Sequence, residues 1–124
     1  MQSVYPVLRY PDVRAAVDFL CSAFGLTVRE LHELPDGTLV HVELEYAGDL
    51  VMLGPGPGPA PQPRPADDDY RVYLAIDDVD AHHERARAAG AEIVRAPFDT
   101  DYGSRDYIAR DLSGVVWSFG TYRP

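Results

Sequence analysis

The sequence predicts an α+β fold in which a βαβββ unit occurs twice. Three observations lead there. Two segments, "PDVRAAVDFLCSAFG" and "DDVDAHHERARAAG", carry helix signals between runs of strand-like residues. Each is followed by three short apolar or alternating runs separated by turn residues. The two halves also share letters: Asp12-Val13 recurs as Asp78-Val79, and "FGLTV" is echoed by "AGAEIV".

Taken in order, "YPVLRY" reads as a strand and "PDVRAAVDFLCSAFG" as a helix, with Asp12 as N-cap and Gly25 as the stop. Val13, Ala16, Val17, Leu20 and Phe24 form one apolar stripe. "TVRELHE" is a strand and "PDG" a turn, and "TLVHVELEY" and "DLVMLG" are strands joined at "AGD". The run "GPGPGPAPQPRPADDD" supplies neither ladder nor helix and reads as a loop. The pattern then restarts. "YRVYLAI" is a strand, and the second helix is capped near Asp78 and stopped at Gly90. "AEIVRAP", "SRDYIARD" and "GVVWSFGTY" are the last three strands. This divides a single domain of 124 residues into module one (about 1–53), a Pro/Gly linker (54–69) and module two (70–124).

Each helix has to bury its stripe on its own strands, which leaves the opposite strand faces to line a concave space, an expected ligand site. Side chains alternate along a strand, so Ser118 shares a face with Val116 and Gly120, while Val115, Trp117 and Phe119 share the other. The second set is the expected core.

Composition excludes several classes of function. With 46% hydrophobic and 25% charged residues, the chain reads as an ordinary globular one. It shows no apolar run of membrane-spanning length and no basic-then-apolar leader, so a cytoplasmic protein without a membrane role is expected. The single cysteine, Cys21, forms no intrachain disulfide and reads as a helical packing residue. The net charge of −9 and the lack of a basic cluster argue against a nucleic-acid partner.

The opening "VLRYPDVRAAVDFL…AFGLTV" and the closing "YGSRDYIARDLSGVVWSFGTY" closely resemble the vicinal oxygen chelate superfamily. That group includes glyoxalase I, extradiol dioxygenases, fosfomycin-resistance enzymes and bleomycin-resistance proteins. "RDLSG" is similar to its Asp-Pro-x-Gly turn, with Leu112 in place of proline. The resemblance implies paired βαβββ modules curled around a shared cavity, in a homodimer. It also implies four metal-ligand positions, which fall at Tyr5, Met52, Arg71 and Ser118. Divalent metals need several converging anionic or imidazole donors. A phenol, a thioether, a guanidinium and a hydroxyl do not supply them, so neither a metal nor another cofactor is expected.

His41 and Glu43 share a strand face as candidates for a relocated metal site or for acid–base chemistry. Val40, Val42 and Leu44 would then pack on the helix. His32, His82 and His83 show no convergence with them, and His83 with Glu84 reads as a solvated helix face. Asp106 is a further polar candidate, and Arg71 could pair with Glu43. Tyr5, Tyr73 and Tyr122 fall on the cavity side, where rings could stack on a ligand, and Tyr102 with Arg105 could close one end. The resulting expectation is a metal-independent protein that sequesters a small hydrophobic or aromatic molecule, such as an antibiotic. Its contacts would come from Tyr5, His41, Glu43, Met52, Arg71, Tyr73, Asp106 and Ser118, none of them catalytic. The alternative is a glyoxalase- or dioxygenase-like enzyme with a displaced metal or with acid–base catalysis by His41 and Glu43.

Overall fold

A computed structural model of the chain describes residues 2–57 and 71–124. Residues 58–70, which hold most of the expected Pro/Gly loop and the start of the expected second module, lie outside the described residues. The chain forms two compact units, Met1–Ala60 and Pro61–Pro124. No described helix is long and apolar enough to cross a membrane.

The first unit runs β1 (Val7–Tyr10), α1 (Val13–Phe24), β2 (Thr27–Glu33), β3 (Leu39–Tyr46) and β4 (Asp49–Pro55). The second runs β5 (Val72–Ala75), α2 (Val79–Ala88), β6 (Glu92–Asp99), β7 (Arg105–Arg110) and β8 (Val116–Gly120). Their sheets have matching orders, β1-β4-β3-β2 and β5-β8-β7-β6. In each, the first strand lies parallel to the last and the remaining pairs are antiparallel. The repeat read from the letters is therefore a repeat of topology, and the class is α+β.

Local chemistry sets the helix ends. The Asp12 carboxylate accepts from the Ala15 amide at 3.0 Å, and Gly25 takes the left-handed φ of 78° that ends α1. Asp78 caps α2 in the same way through Ala81. The helices differ in how they hold their sheets. α1 buries Val13, Ala16, Val17, Leu20, Ala23 and Phe24, whereas α2 buries only Val79 and Ala86. On α2, histidines do part of this work. The His82 ring lies 4.5 Å from the Phe119 ring, and its Nδ1 is hydrogen-bonded to the Tyr107 hydroxyl. His83 departs from its expected solvated face: its side chain is largely covered and meets Tyr107 edge-on. Because a short, charged helix has little apolar surface to offer, imidazoles supply the packing.

In the second core Trp117 stacks with Phe119, and Phe119 with Tyr107, all three fully buried. The indole N–H donates to Asp111 at 3.1 Å. The same carboxylate accepts from the Ser113 and Val115 amides, so one buried aspartate closes the "RDLSG" turn and holds the tryptophan.

Strict alternation fails in β3. His32 pairs with His41 and Glu33 with Leu39, so Val40 is an extra residue on its strand. A bulge of this kind turns the following side chain to the other face. Leu39 is consequently buried beside Val42 and Leu44, while Val40, expected on the helix side, is 38% exposed.

Asp111→Ala would leave the buried indole N–H and two turn amides without their acceptor. A loss of about 2–4 kcal/mol in urea unfolding is expected, with a weakened near-ultraviolet signal from Trp117. A loss below about 0.5 kcal/mol would show that the carboxylate does not hold the turn.

Candidate functional site

In the second unit, register decides which side chains leave the helix-covered face. Ile93 pairs with Ala109 and Arg95 with Ile108, so Val94 is an extra residue in β6. A second shift follows before Phe98 pairs with Asp106, within an edge strand that contains Pro97. The sheet face turned from Trp117 and Phe119 then carries two cross-strand rows. One is Arg95, Ile108, Ser118 and Tyr73, and the other is Phe98, Asp106, Gly120 and Ala75.

These rows floor a cavity of about 340 Å³. Arg71, Arg95, Phe98, Asp106, Ile108 and Ser118 line it, and the Asp99–Tyr102 turn forms one rim. The Arg95 guanidinium carbon sits 3.5 Å from the Phe98 ring centroid, a cation–π contact. Ser118 is 3% exposed and its hydroxyl has no hydrogen-bond partner among the described residues. Asp106 is 7% exposed. Its Oδ1 accepts from the Ser104 hydroxyl at 3.1 Å, and Ser104 is in turn held by Thr100.

Gly120 makes this packing possible. A Cβ there would run into the Asp106 carboxylate and stand 2.8 Å from the Tyr73 hydroxyl. That hydroxyl donates to the Tyr122 carbonyl at 2.7 Å. Burial, and then the nearby Asp106 charge, raise the Tyr73 pKa above its ordinary value. Tyr73 is therefore a hydrogen-bond donor here and not a phenolate base. Tyr102 lies on the rim, its ring edge-on to Tyr122. Arg105 does not join it: its guanidinium binds Asp80 and Asp99, each at 3.0 Å. Two nearby carboxylates hold that side chain against α2 and the end of β6.

The sheet face of the first unit gathers a different set. His41 and Glu43 lie 3.0 Å apart, and Glu43 pairs across strands with Met52. Glu43 thus has His41 as its partner within the first unit, and Arg71 lines the cavity of the second. His32, expected to stand apart, is directly opposite His41 with ring centroids 5.6 Å apart. The bulge at Arg29 brings this about, by shifting β2 so that Glu30 and His32 face Glu43 and His41. Tyr5 precedes β1, half exposed, its hydroxyl donating to the Gln2 carbonyl.

Of the eight residues expected to contact ligand, Arg71, Asp106 and Ser118 share one cavity, with Tyr73 beside it. His41, Glu43 and Met52 share one sheet face of the first unit. Arg95 and Phe98 were not among the expected residues. By plain alternation Arg95 belongs on the face of Ile93, and only the bulge at Val94 moves it.

Tyr5, Met52, Arg71 and Ser118, where the family resemblance leads one to expect metal ligands, do not suit a divalent ion. Arg71 carries a positive charge, and Tyr5, Met52 and Ser118 bring a phenol, a thioether and a hydroxyl. Among the described residues no three His, Cys, Asp or Glu side chains are placed to hold one metal.

Comparison with known proteins places the chain. Two uncharacterized proteins, from Mycobacterium bovis and Mycobacterium tuberculosis, are each 33% identical to it over 121 residues. The match covers 93% of this chain and 80% and 71% of theirs, respectively. The crystal structure of TioX from Micromonospora sp. ML1 is similar with a TM-score of 0.79 and 31% identity, over 99% of this chain and 98% of that one. Glyoxalase I from Zea mays shares the fold with a TM-score of 0.76 at 19% identity, over 99% of this chain and 45% of that one. The profile of the Glyoxalase/Bleomycin resistance protein/Dioxygenase superfamily matches residues 2–119, and the chain belongs to that superfamily.

Proposed function

We propose that the chain is a metal-independent binding protein of the bleomycin-resistance type, which sequesters a small hydrophobic or aromatic compound without converting it. The observation that carries this reading is Arg71, a fixed positive charge at a position where metal-dependent relatives are expected to have a ligand. The second cavity position, Ser118, is a buried hydroxyl that supplies no anionic donor. Phe98 and Ile108 offer apolar contact, and Tyr102 an aromatic rim. The compound class includes antibiotics. The reading includes a homodimer, since edge strand β2 is exposed along its whole length and presents Val28 and Leu31.

A second reading rests on the 3.0 Å contact between His41 and Glu43, an acid–base pair able to move a proton if a substrate reaches it. The two readings part on whether a bound compound returns unchanged.

Fluorescence of Trp117, which lies on the strand beside Ser118, should report binding within a panel of aromatic antibiotics, with each compound recovered intact. Conversion that is lost in His41→Ala while binding persists would establish the enzyme instead.

Elemental analysis of the purified protein should find no stoichiometric zinc, nickel, iron or manganese. About one ion per chain, lost in His41→Ala, would overturn the metal-independent reading.

Gly120→Ala should weaken binding of such a compound by about tenfold, ~1.4 kcal/mol, because the new methyl displaces Asp106 and Tyr73. Unchanged affinity would remove both side chains from the site.

A further inference from the structure

The cavity of the second unit is dipolar, and we infer that it takes a small flat zwitterion: an acid group held by Arg71 and Arg95, an apolar body over Ile108 and Phe98, and an ammonium at Asp106. This rests on the binding-protein reading and names the ligand class of that site.

The cationic end is unusual for this chain. Asp and Glu number 20 against 11 Lys and Arg, so carboxylates are plentiful partners for an arginine. Arg14, Arg29, Arg87, Arg105, Arg110 and Arg123 each have one. Arg71 and Arg95 have none among the described residues, and both line the same cavity. The Arg95 guanidinium carbon lies over the Phe98 ring, and none of its N–H groups is hydrogen-bonded among the described residues. A planar fork of donors matches a carboxylate, with two parallel hydrogen bonds. Ser118, in the same cross-strand row as Arg95, adds a cavity-lining hydroxyl with no partner of its own among the described residues.

The opposite end is acidic. Asp106 lies one row further along the sheet, about 7 Å from the Arg95–Ser118 row by strand geometry. Ser104 satisfies one of its oxygens, and the other has no hydrogen-bond donor among the described residues. The Asp99 carboxylate on the rim is already bound by Arg105, whereas Asp101 beside it adds negative charge. A buried carboxylate favours a cationic donor that reaches it. Benzene rings bearing para substituents separate two charges by about this spacing, and such a molecule fits within 340 Å³.

Four nearly isosteric probes isolate the two ends: 4-(aminomethyl)benzoate, 4-methylbenzoate, 4-methylbenzylamine and p-xylene. Each is titrated by ligand-observed NMR against the full chain and against Arg71→Gln, Arg95→Gln and Asp106→Asn, after thermal unfolding has shown that each variant folds. The zwitterion should bind about tenfold more tightly than either singly charged probe. Either arginine variant should weaken the zwitterion and 4-methylbenzoate and leave 4-methylbenzylamine unchanged. Asp106→Asn should weaken the zwitterion and 4-methylbenzylamine and leave 4-methylbenzoate unchanged. Equal affinity for all four probes, equal weakening of all four by every variant, or no binding at millimolar concentration would overturn the inference. If p-xylene binds as well as the rest and returns intact, sequestration stands and the dipolar site falls. If the zwitterion returns chemically altered with the charge pattern intact, the dipolar site stands and sequestration falls.

Discussion

Because side chains alternate along a strand, β8 has to set Trp117 and Phe119 on one face and Ser118 and Gly120 on the other. Every residue of β8 is buried, so neither face is left to water. The aromatic face joins Tyr107 and His82 beneath α2. The small-residue face cannot fill the space above it, and longer side chains from the flanking strands close in around that space. Gly120 admits Asp106 and the Tyr73 hydroxyl, and the small Ser118 lines the same cavity as Arg71 and Arg95. The cavity follows from one strand carrying its bulk on one side only.

The two units solve the same topological problem with different chemistry. α1 has an aliphatic stripe long enough to cover its sheet, and Leu20, Ala23 and Phe24 are fully buried there. α2 is mostly charged, so its unit relies on stacked rings and on the Asp111 carboxylate that holds the indole. Polar groups in the second unit are fixed by short local bonds: Thr100 holds Ser104, Ser104 holds Asp106, and Arg105 ties α2 to β6. A carboxylate whose bearing is fixed by its neighbours loses little freedom when a ligand arrives.

Most of the fold was legible in the sequence because its signals are local. Asp12 and Asp78 cap helices through amides three residues on, and Gly25 ends α1 through its own φ. The repeat was legible because Asp-Val at both helix starts performs the same task. Side-chain facing was less legible wherever a strand holds an extra residue. Bulges at Arg29, Val40 and Val94 reverse alternation, and each depends on the partner strand's register, which no short window contains. For that reason alternation alone places Val40 inside, sets His32 apart from His41 and keeps Arg95 off the cavity face. Ser118 was read correctly on its face because β8 follows a turn closed by Asp111 and Gly114 and contains no bulge.

On the proposed reading, Arg71 explains why a fold shared with metal-dependent enzymes would hold a compound without acting on it. A guanidinium keeps a positive charge in the cavity and recognises an anionic group through directed hydrogen bonds. It does not accept a lone pair, so it cannot polarise a bound oxygen as a Lewis acid does or lower the pKa of a bound water. Tyr73, with its pKa raised, donates its proton to a backbone carbonyl and is not available as a base. What the cavity of the second unit retains is charge, shape and aromatic surface. On the proposed reading those are the means of binding, and the Asp106 carboxylate, held by Ser104, serves there as a fixed charge.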